Sequence, residues 1–283
     1  MKTDQSILNA VQMGESQSIA QIPGLPYAAV RQTISQEIGI GNVSISYSRP
    51  NAKKRKIYGG LVPYGVIWRT GANMATEITF SEDVKLNGQS VPAGAYSLFT
   101  IPGIDEWTII LNKDNKSWGA FSYDEKKDLL RIAVRVSQIL GRQETFTILF
   151  ANSTSSSAEL EIVWGNTSVT ICVSVDHDSK IMANIDRLMQ LEHPDNLVYF
   201  NAVQYYYNNE KDVDKALGWI ARAKNDVPAS PAWQLFESRF LLRKGDKTAA
   251  IAAAEAGIKL AKDLNFDEYI ALNSEALYLA KLQ

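Results

Sequence analysis

The strongest constraint on the fold is a change in hydrophobic period near residue 180. From about residue 31 to 175, apolar and polar residues alternate with a period of two, as in "NVSISYS" at residues 42–48. Such alternation is typical of strands with one buried face. After residue 180, as in "SKIMANIDRLMQ", apolar residues recur at helical spacing. The chain is therefore predicted to place an all-β part before an all-helical part.

The β part is predicted to contain nine to eleven short strands without an intervening helix of ten residues. Asn87-Gly88 lies inside one of its apolar runs and is a strong hairpin signal. Many short strands at hairpin spacing favour a sandwich or jelly roll over alternating strands and helices. We expect segregated α+β architecture: a poorly ordered lead-in over residues 1–27, a β-sandwich or jelly-roll-like domain over 28–178, and a helical domain over 179–283.

The helical part contains two similar stretches, "DKALGWIARAKNDVP" and "TAAIAAAEAGIKLAK". They align with a shift of 34 residues, which pairs Ala216 with Ala250 and Ala223 with Gly257. Thirty-four residues is the length of the helix-turn-helix unit in tetratricopeptide repeats. We therefore expect a tetratricopeptide-like array of two degenerate units, followed by a terminal helix that acts as a cap.

Charge and composition restrict the classes of partner. The formal net charge is −2, so no global field attracts nucleic acid. The run "KKRK" at residues 53–56 lacks interleaved aromatic residues, and we expect no nucleic-acid partner. No stretch approaches the ~18 apolar residues of a membrane-spanning helix. The single cysteine, Cys172, excludes an internal disulfide, and its apolar surroundings predict that it is buried.

Motifs for the common catalytic chemistries are missing from the sequence. There are two histidines, His177 and His193, and no Cys/His cluster with zinc-ligand spacing. The stretch "VDHDSK", which contains His177, is expected to be a solvated turn. The sequence has no nucleophile elbow, phosphate-binding loop or dinucleotide fingerprint. We predict neither a metal site nor a cofactor.

A span without acidic residues is the main indication of a binding site. Residues 38–76 carry six basic residues and no acidic one, and the planar guanidinium of arginine suits carboxylates and phosphates. Arg49 and Arg69 stand beside apolar or aromatic residues, where each could clamp the backbone or contact a ligand. The candidate ligand-binding residues are Arg49, Arg55, Tyr58, Arg69, Asn73 and Trp118.

Several sequence blocks resemble a known family. "YSRP", "GLVPYG", "WRTGANMAT" and "AGAYSLFTIPGIDEWT" look like signature blocks of the domain of unknown function 2911 family, which is common in Bacteroidetes, and the resemblance runs from about residue 28 to 175. The helical C-terminus is similar to the tail of some members. The resemblance implies an origin and a fold but no activity. It also implies export from the cytoplasm, although the residues before Ala20-Gln21 lack the apolar core of a signal peptide.

Three functions stay open at the level of sequence. The favoured one is a non-catalytic protein whose β-domain loops bind a polar or anionic small ligand, either a glycan or a carboxylate, with the helical tail as a brace or protein-contact surface. The second is a hydrolase in which Arg69 assists a carboxylate. Its candidate carboxylates are Asp105, Glu106, Asp124 and Glu125. The third is a scaffold that recruits a protein partner through the helical tail.

Overall fold

A computed structural model describes residues 27–282. Residues 1–26 of the predicted lead-in, with the Ala20-Gln21 junction, lie outside the described residues. The chain divides into two compact units, of which the first ends at His177 and the second begins at Asp178. Described strands occupy the first unit and six α-helices the second, which confirms the prediction of segregated α+β architecture.

The first unit is built on one nine-stranded antiparallel sheet. Its strands are β1 (Val30–Ile38), β2 (Gly41–Arg49), β3 (Thr76–Phe80), β4 (Val84–Leu86), β5 (Gln89–Val91), β6 (Gly94–Ile101), β7 (Glu106–Asn112), β8 (Asp128–Ala151) and β9 (Ser157–Ser174). They follow the order β1-β2-β3-β6-β7-β8-β9-β4-β5. Strands β8 and β9 each combine two strands that the sequence pattern separates, because their register shifts without ending the pairing.

The sheet curls until its two parts enclose a common core. The inward residues of β2, including Val43 and Ile45, join one buried cluster with Leu86 of β4 and Val169 of β9. Beyond β2, the backbone pairs with β8: Phe146 N–H donates to the Pro50 carbonyl and Ala52 N–H to the Glu144 carbonyl, at 2.9 and 2.8 Å. This pairing joins β2 to β8 directly and brings residues 50–56 close to the middle of β8.

Two predictions about the strands have opposite outcomes. The Asn87-Gly88 hairpin is confirmed, since β4 pairs with β5 and both turn residues have positive φ, +45° and +84°. Cys172, predicted to be buried, is exposed. Its neighbours Ile171 and Val173 occupy the core, so Cys172 faces the other side of the strand.

The prediction of a solvated turn at His177 is also wrong. Only 5% of this residue is exposed. Its Nδ1 accepts a hydrogen bond from the Ile40 N–H at 3.3 Å, and the ring fills the space beside Gly39. His177 is therefore a packed residue at the end of the first unit.

The second unit consists of successive helices with their own apolar core, which includes Val203, Ile220 and Phe240. The helices are α1 (Asp178–Met189), α2 (Asn196–Asn208), α3 (Val213–Asp226), α4 (Pro231–Lys244), α5 (Lys247–Asp263) and α6 (Asp267–Leu282). Asp212 and Asp246, separated by 34 residues (246 − 212), cap α3 and α5 by accepting backbone N–H bonds. The tetratricopeptide-like assignment stays a prediction. Among residues 27–282, no helix is long and apolar enough to cross a membrane.

Candidate functional site

An open pocket of about 290 Å³ lies on the first unit, where three chain segments meet. One segment is the loop that follows residue 55, the second lies in the middle of β8, and the third belongs to β9. The pocket is lined by Lys56, Ile57, Tyr58, Tyr64, Gln138, Arg142, Trp164, Gly165, Asn166 and Thr167. We call this site the cationic pocket because its charged lining residues, Lys56 and Arg142, are both basic.

A large bulge in β8 forms one side of the cationic pocket. Gln138 pairs with Thr167 and Gln143 with Gly165, so residues 139–142 of β8 stand opposite Asn166 alone. Four residues against one force the strand outward, and Gly141 assists with a φ of +91°. Arg142, at the end of the bulge, donates a hydrogen bond of 3.0 Å to the Arg55 carbonyl. The bulge is thereby attached to the basic loop.

The opposite side is a compact loop from Lys56 to Tyr64. Its backbone closes on itself, with Leu61 N–H donating to the Lys56 carbonyl at 3.0 Å and Val62 N–H to the Ile57 carbonyl at 2.9 Å. Gly59 has a φ of +73°, and a Cβ at this position would lie 2.6 Å from the Tyr64 ring. The ring therefore packs against the glycine, and a side chain at residue 59 would displace it.

Aromatic residues form the wall of the cationic pocket. Tyr58 and Trp164 belong to a buried group with Trp68 and Trp107, in which the Tyr58–Trp107 ring centroids are 4.9 Å apart and Trp68 stacks on Trp164 at 6.1 Å. Burial, followed by the nearby Tyr64, raises the pKa of the Tyr58 hydroxyl well above its ordinary value. This hydroxyl is buried without a hydrogen-bond partner among the described residues. The wall is closely packed and uncharged.

The described residues supply no ion-pair partner for the two charged side chains of the pocket. Neither Lys56 nor Arg142 forms a salt bridge with any carboxylate of the described residues. Among the nearby acids, Glu144 accepts a hydrogen bond from the Lys53 backbone N–H. An anion between the two cations would gain Coulomb energy and donors from both side chains.

Three of the residues singled out from the sequence hold the fold together. Arg49 donates to the Phe146 carbonyl at 3.1 Å and to the Thr147 hydroxyl at 2.8 Å. Asn73, in left-handed backbone conformation, donates to the Ala29 carbonyl and the Ser48 hydroxyl. The guanidinium of Arg55 binds the carbonyls of Asn51 and Ala52. The side chains of Arg49, Arg55 and Asn73 thus form hydrogen bonds within the first unit.

Arg69 differs from the other arginines. It is half-buried, its Nε is buried without a hydrogen-bond partner, and its guanidinium forms no ion pair or hydrogen bond within residues 27–282. Burial lowers the pKa of its guanidinium. The backbone carbonyl of Arg69 accepts from the Thr76 N–H at 3.1 Å. The side chain is a partly buried cation without a counter-charge among the described residues.

The structure separates the remaining predicted residues. Trp118 is 37% exposed and its backbone pairs with Met74, whereas Tyr58 lines the cationic pocket. Of the four carboxylates proposed for catalysis, Asp105 and Glu106 lie at the start of β7. Asp124 and Glu125 lie in the connection after its end, where Glu125 pairs with Arg131.

Several pocket residues were not predicted from the sequence, notably Tyr64, Arg142 and Trp164. The sequence does hold a signal for one of them. In "QILGRQE", a glycine interrupts a strand pattern, which is the usual mark of a bulge, and Arg142 follows it directly. Among the described residues, no group of three or more His, Cys, Asp or Glu side chains could hold a metal ion.

Comparison with known proteins identifies the family of the chain. A family model described as protein of unknown function (DUF2911) matches residues 29–173. This match covers strands β1 to β9 almost completely and contains every residue that lines the cationic pocket. Searches of curated proteins and of solved structures return no match. The chain belongs to the DUF2911 family, through the unit that carries the pocket.

Proposed function

We propose that this protein binds a small anionic ligand, either a sugar acid or another carboxylate, in the cationic pocket. The observation that carries the proposal is the pair Lys56 and Arg142, two cations that form no salt bridge with a described carboxylate and that line a pocket without a described acidic residue. A guanidinium offers two parallel donors to a carboxylate, and a lysine adds a second charge.

The size and wall of the pocket support a compact ligand. About 290 Å³ is near the lower limit of ordinary ligand pockets. Tyr64 is 41% exposed and offers an apolar surface against which a sugar ring could pack. Gln138, Asn166 and Thr167 add neutral donors and acceptors suited to hydroxyl groups. A monosaccharide acid combines these features.

Isothermal titration with glucuronate, glucose and acetate would test the proposal, with tryptophan fluorescence as a second readout because Trp164 lines the pocket. We expect glucuronate to bind more tightly than glucose. Arg142→Gln should weaken glucuronate binding by about tenfold or more, the usual value of a charged hydrogen bond. Arg135→Gln, which removes an exposed cation of β8 outside the pocket lining, is the matched control.

Two results would contradict the proposal. One is equal binding of glucuronate and glucose, which would show that the charge of the ligand does not contribute to its affinity. The other is an equal loss of affinity in Arg142→Gln and Arg135→Gln, which would place the site elsewhere. Lys56→Gln repeats the test on the other side of the pocket and leaves the hydrogen bond between Arg142 and the Arg55 carbonyl intact.

The hydrolase hypothesis has less support. Among the described carboxylates, none forms a salt bridge with Arg69, and the four candidate acids are divided between the two ends of β7. A non-catalytic protein agrees better with this arrangement. The wild-type protein can be incubated with a glycoside of a sugar acid that it binds. Analysis of the products then distinguishes binding from hydrolysis.

For the helical unit we propose a role as a brace or protein-contact surface. The terminal helix α6 exposes Tyr278, Leu279 and Leu282, and exposed apolar groups of this kind often contact other proteins. Light scattering of the wild-type protein and of Tyr278→Ser tests self-association through this helix. Equal masses at all concentrations would rule out a self-contact at this position.

A further inference from the structure

Exposed apolar side chains occur on three segments of the first unit, two of which also line the cationic pocket. They are Leu61, Tyr64, Val66, Ile104 and Leu140. Ile104 is 70% exposed, and Leu140, in the β8 bulge, is as exposed as a side chain can be, at 105%. Leu61, Tyr64 and Val66 are between 41% and 48% exposed, and contact of water with apolar surface of this kind is unfavourable. Single exposed residues are ordinary, but a group of them at one place marks an interaction surface.

Hydrogen bonds show that these segments are neighbours. Gly65 N–H donates to the Pro102 carbonyl at 2.9 Å, which brings the loop containing Tyr64 and Val66 to the β6–β7 turn. Val136 N–H donates to the Asp105 carbonyl at 2.9 Å, which joins that turn to β8 just before the bulge. Arg142 binds the Arg55 carbonyl. The apolar side chains therefore share one end of the unit with the basic loop.

The same end carries a concentration of positive charge. Lys53 and Lys54 form a tight turn with φ of +50° and +60°, and all four residues of the run Lys53–Lys56 are exposed. With Arg142 this makes five cations. The acids nearby are Glu144, which contacts the Lys53 backbone, and Asp105 and Glu106 beside Ile104. We name the combination of residues 53–56, Leu61, Tyr64, Val66, Ile104 and residues 139–142 the basic apolar end.

We propose that the basic apolar end docks on the surface of a lipid bilayer that contains anionic headgroups. Exposed cations are attracted to such a surface, and apolar side chains between them can enter the region below the headgroups. A protein partner fits less well, because lysine is depleted at protein interfaces and because the exposed side chains stand on separate loops. A fluid bilayer adapts to such an uneven surface.

This inference does not depend on the proposed ligand. Lys54, Ile104 and Leu140 do not line the cationic pocket, so lipid binding can be removed while the pocket is left intact. The reverse also holds, since a protein without affinity for glucuronate can still bind vesicles through these residues. The two proposals therefore fail separately.

Vesicle co-sedimentation of the full chain tests the docking surface. The probes are vesicles of phosphatidylcholine alone and of an equimolar mixture with phosphatidylglycerol. We expect binding to the mixture and little to phosphatidylcholine, with a decrease at high salt because screening weakens surface attraction. Lys54→Gln should reduce the partition coefficient roughly fivefold, and Leu140→Ser roughly tenfold. Soluble glycerol phosphate as a competitor distinguishes headgroup capture in the pocket from docking on the surface.

Matched controls come from the connection between β7 and β8, which lies at the other end of β7. Lys116 is exposed there, and Phe121 is 87% exposed. Lys116→Gln and Phe121→Ser change the same kinds of side chain and should leave vesicle binding unchanged. Thermal melting of each variant checks that it folds, and Ile104→Ser replaces Leu140→Ser if the latter does not.

Four outcomes would overturn the inference. The first is a wild-type protein that does not sediment with anionic vesicles. The second is equal loss in the control and test variants. The third is full competition by soluble glycerol phosphate, which would show that the apolar side chains do not contribute to vesicle binding. A concentration-dependent dimer that Leu140→Ser abolishes, with vesicle binding unaffected, would assign the surface to a protein contact instead.

Discussion

Replacement of Arg69 by methionine should stabilise the protein. Methionine keeps most of the length of the side chain and removes the charge and the Nε donor. In the wild type, this donor is buried without a partner among the described residues. A buried unsatisfied donor costs about 1–3 kcal/mol. Since Arg69 is only half-buried, we expect a gain near the lower end, about 1 kcal/mol.

Arg49→Met is the matched control, because Arg49 is also half-buried but donates two hydrogen bonds. Bonds from a charged donor contribute about 1.5–3 kcal/mol each, and partial exposure reduces that value. We expect Arg49→Met to lose about 2 kcal/mol. The two variants should therefore change the free energy of unfolding in opposite directions, and they differ by about 3 kcal/mol in total.

Thermal melting of the full chain, followed by near-ultraviolet circular dichroism, measures both effects. For a unit of this size, 1 kcal/mol corresponds to about 2–4 °C in Tm. Arg69→Met should raise the Tm of the first unit by about that amount, and Arg49→Met should lower it by about twice as much. A lower Tm in Arg69→Met, close to that of Arg49→Met, would refute the reasoning and show that Arg69 holds the fold through a partner.

Three further predictions concern single positions. Gly257→Ala should destabilise α5 by about 1–3 kcal/mol, because a Cβ there would overlap the Asn273 side chain; Gly218→Ala, in α3 with open space around it, should gain up to about 1 kcal/mol. Urea denaturation followed by far-ultraviolet circular dichroism compares them, and equal effects would contradict the packing argument. Burial and the Asp128 hydrogen bond raise the pKa of Tyr123 to about 12. The raised pKa keeps Tyr123 protonated in the folded state, so its contribution to stability is complete below pH 10, the ordinary tyrosine value, and is lost as the pH rises towards 12. Tyr123→Phe should weaken this decline and remove one late step from the phenolate absorbance titration; an unchanged titration would refute the assignment. Cys172, exposed on β9, should react with a thiol reagent in the native protein as fast as in the unfolded chain, whereas strong protection would contradict its exposure.

Local patterns in the sequence predicted the elements of both units. Alternation placed Val43, Ile45 and Tyr47 on a buried face, and the Asn87-Gly88 pair predicted a hairpin that the structure contains. These features depend on neighbours in sequence, because strand faces and turn conformations follow from the residues within a few positions. The same rule, applied strictly, would have placed Cys172 on the exposed face. Its apolar surroundings in sequence led to the opposite prediction.

The cationic pocket could be predicted only in part. The span without acidic residues led to Tyr58 and to the basic loop, which form one side of the site. The other side could not be predicted from local sequence, because Arg142 and the carbonyl of Arg55 that it binds are 87 positions apart in sequence. That meeting depends on the register of β8 against β9 and on a bulge of four residues opposite one. Strand register at such a distance is not encoded in any local pattern.

The sequence by itself determined the two-part architecture, the faces of most strands and the excess of positive charge between residues 38 and 76. The tertiary structure decided what that charge does. It ties the guanidiniums of Arg49 and Arg55 to backbone carbonyls. It buries the Nε of Arg69 without a described partner, and it places Lys56 in the lining of the same pocket as Arg142. The physical reason is that the role of a charged side chain depends on the groups it contacts. Those groups come from strands that are distant in sequence and meet only in the folded structure.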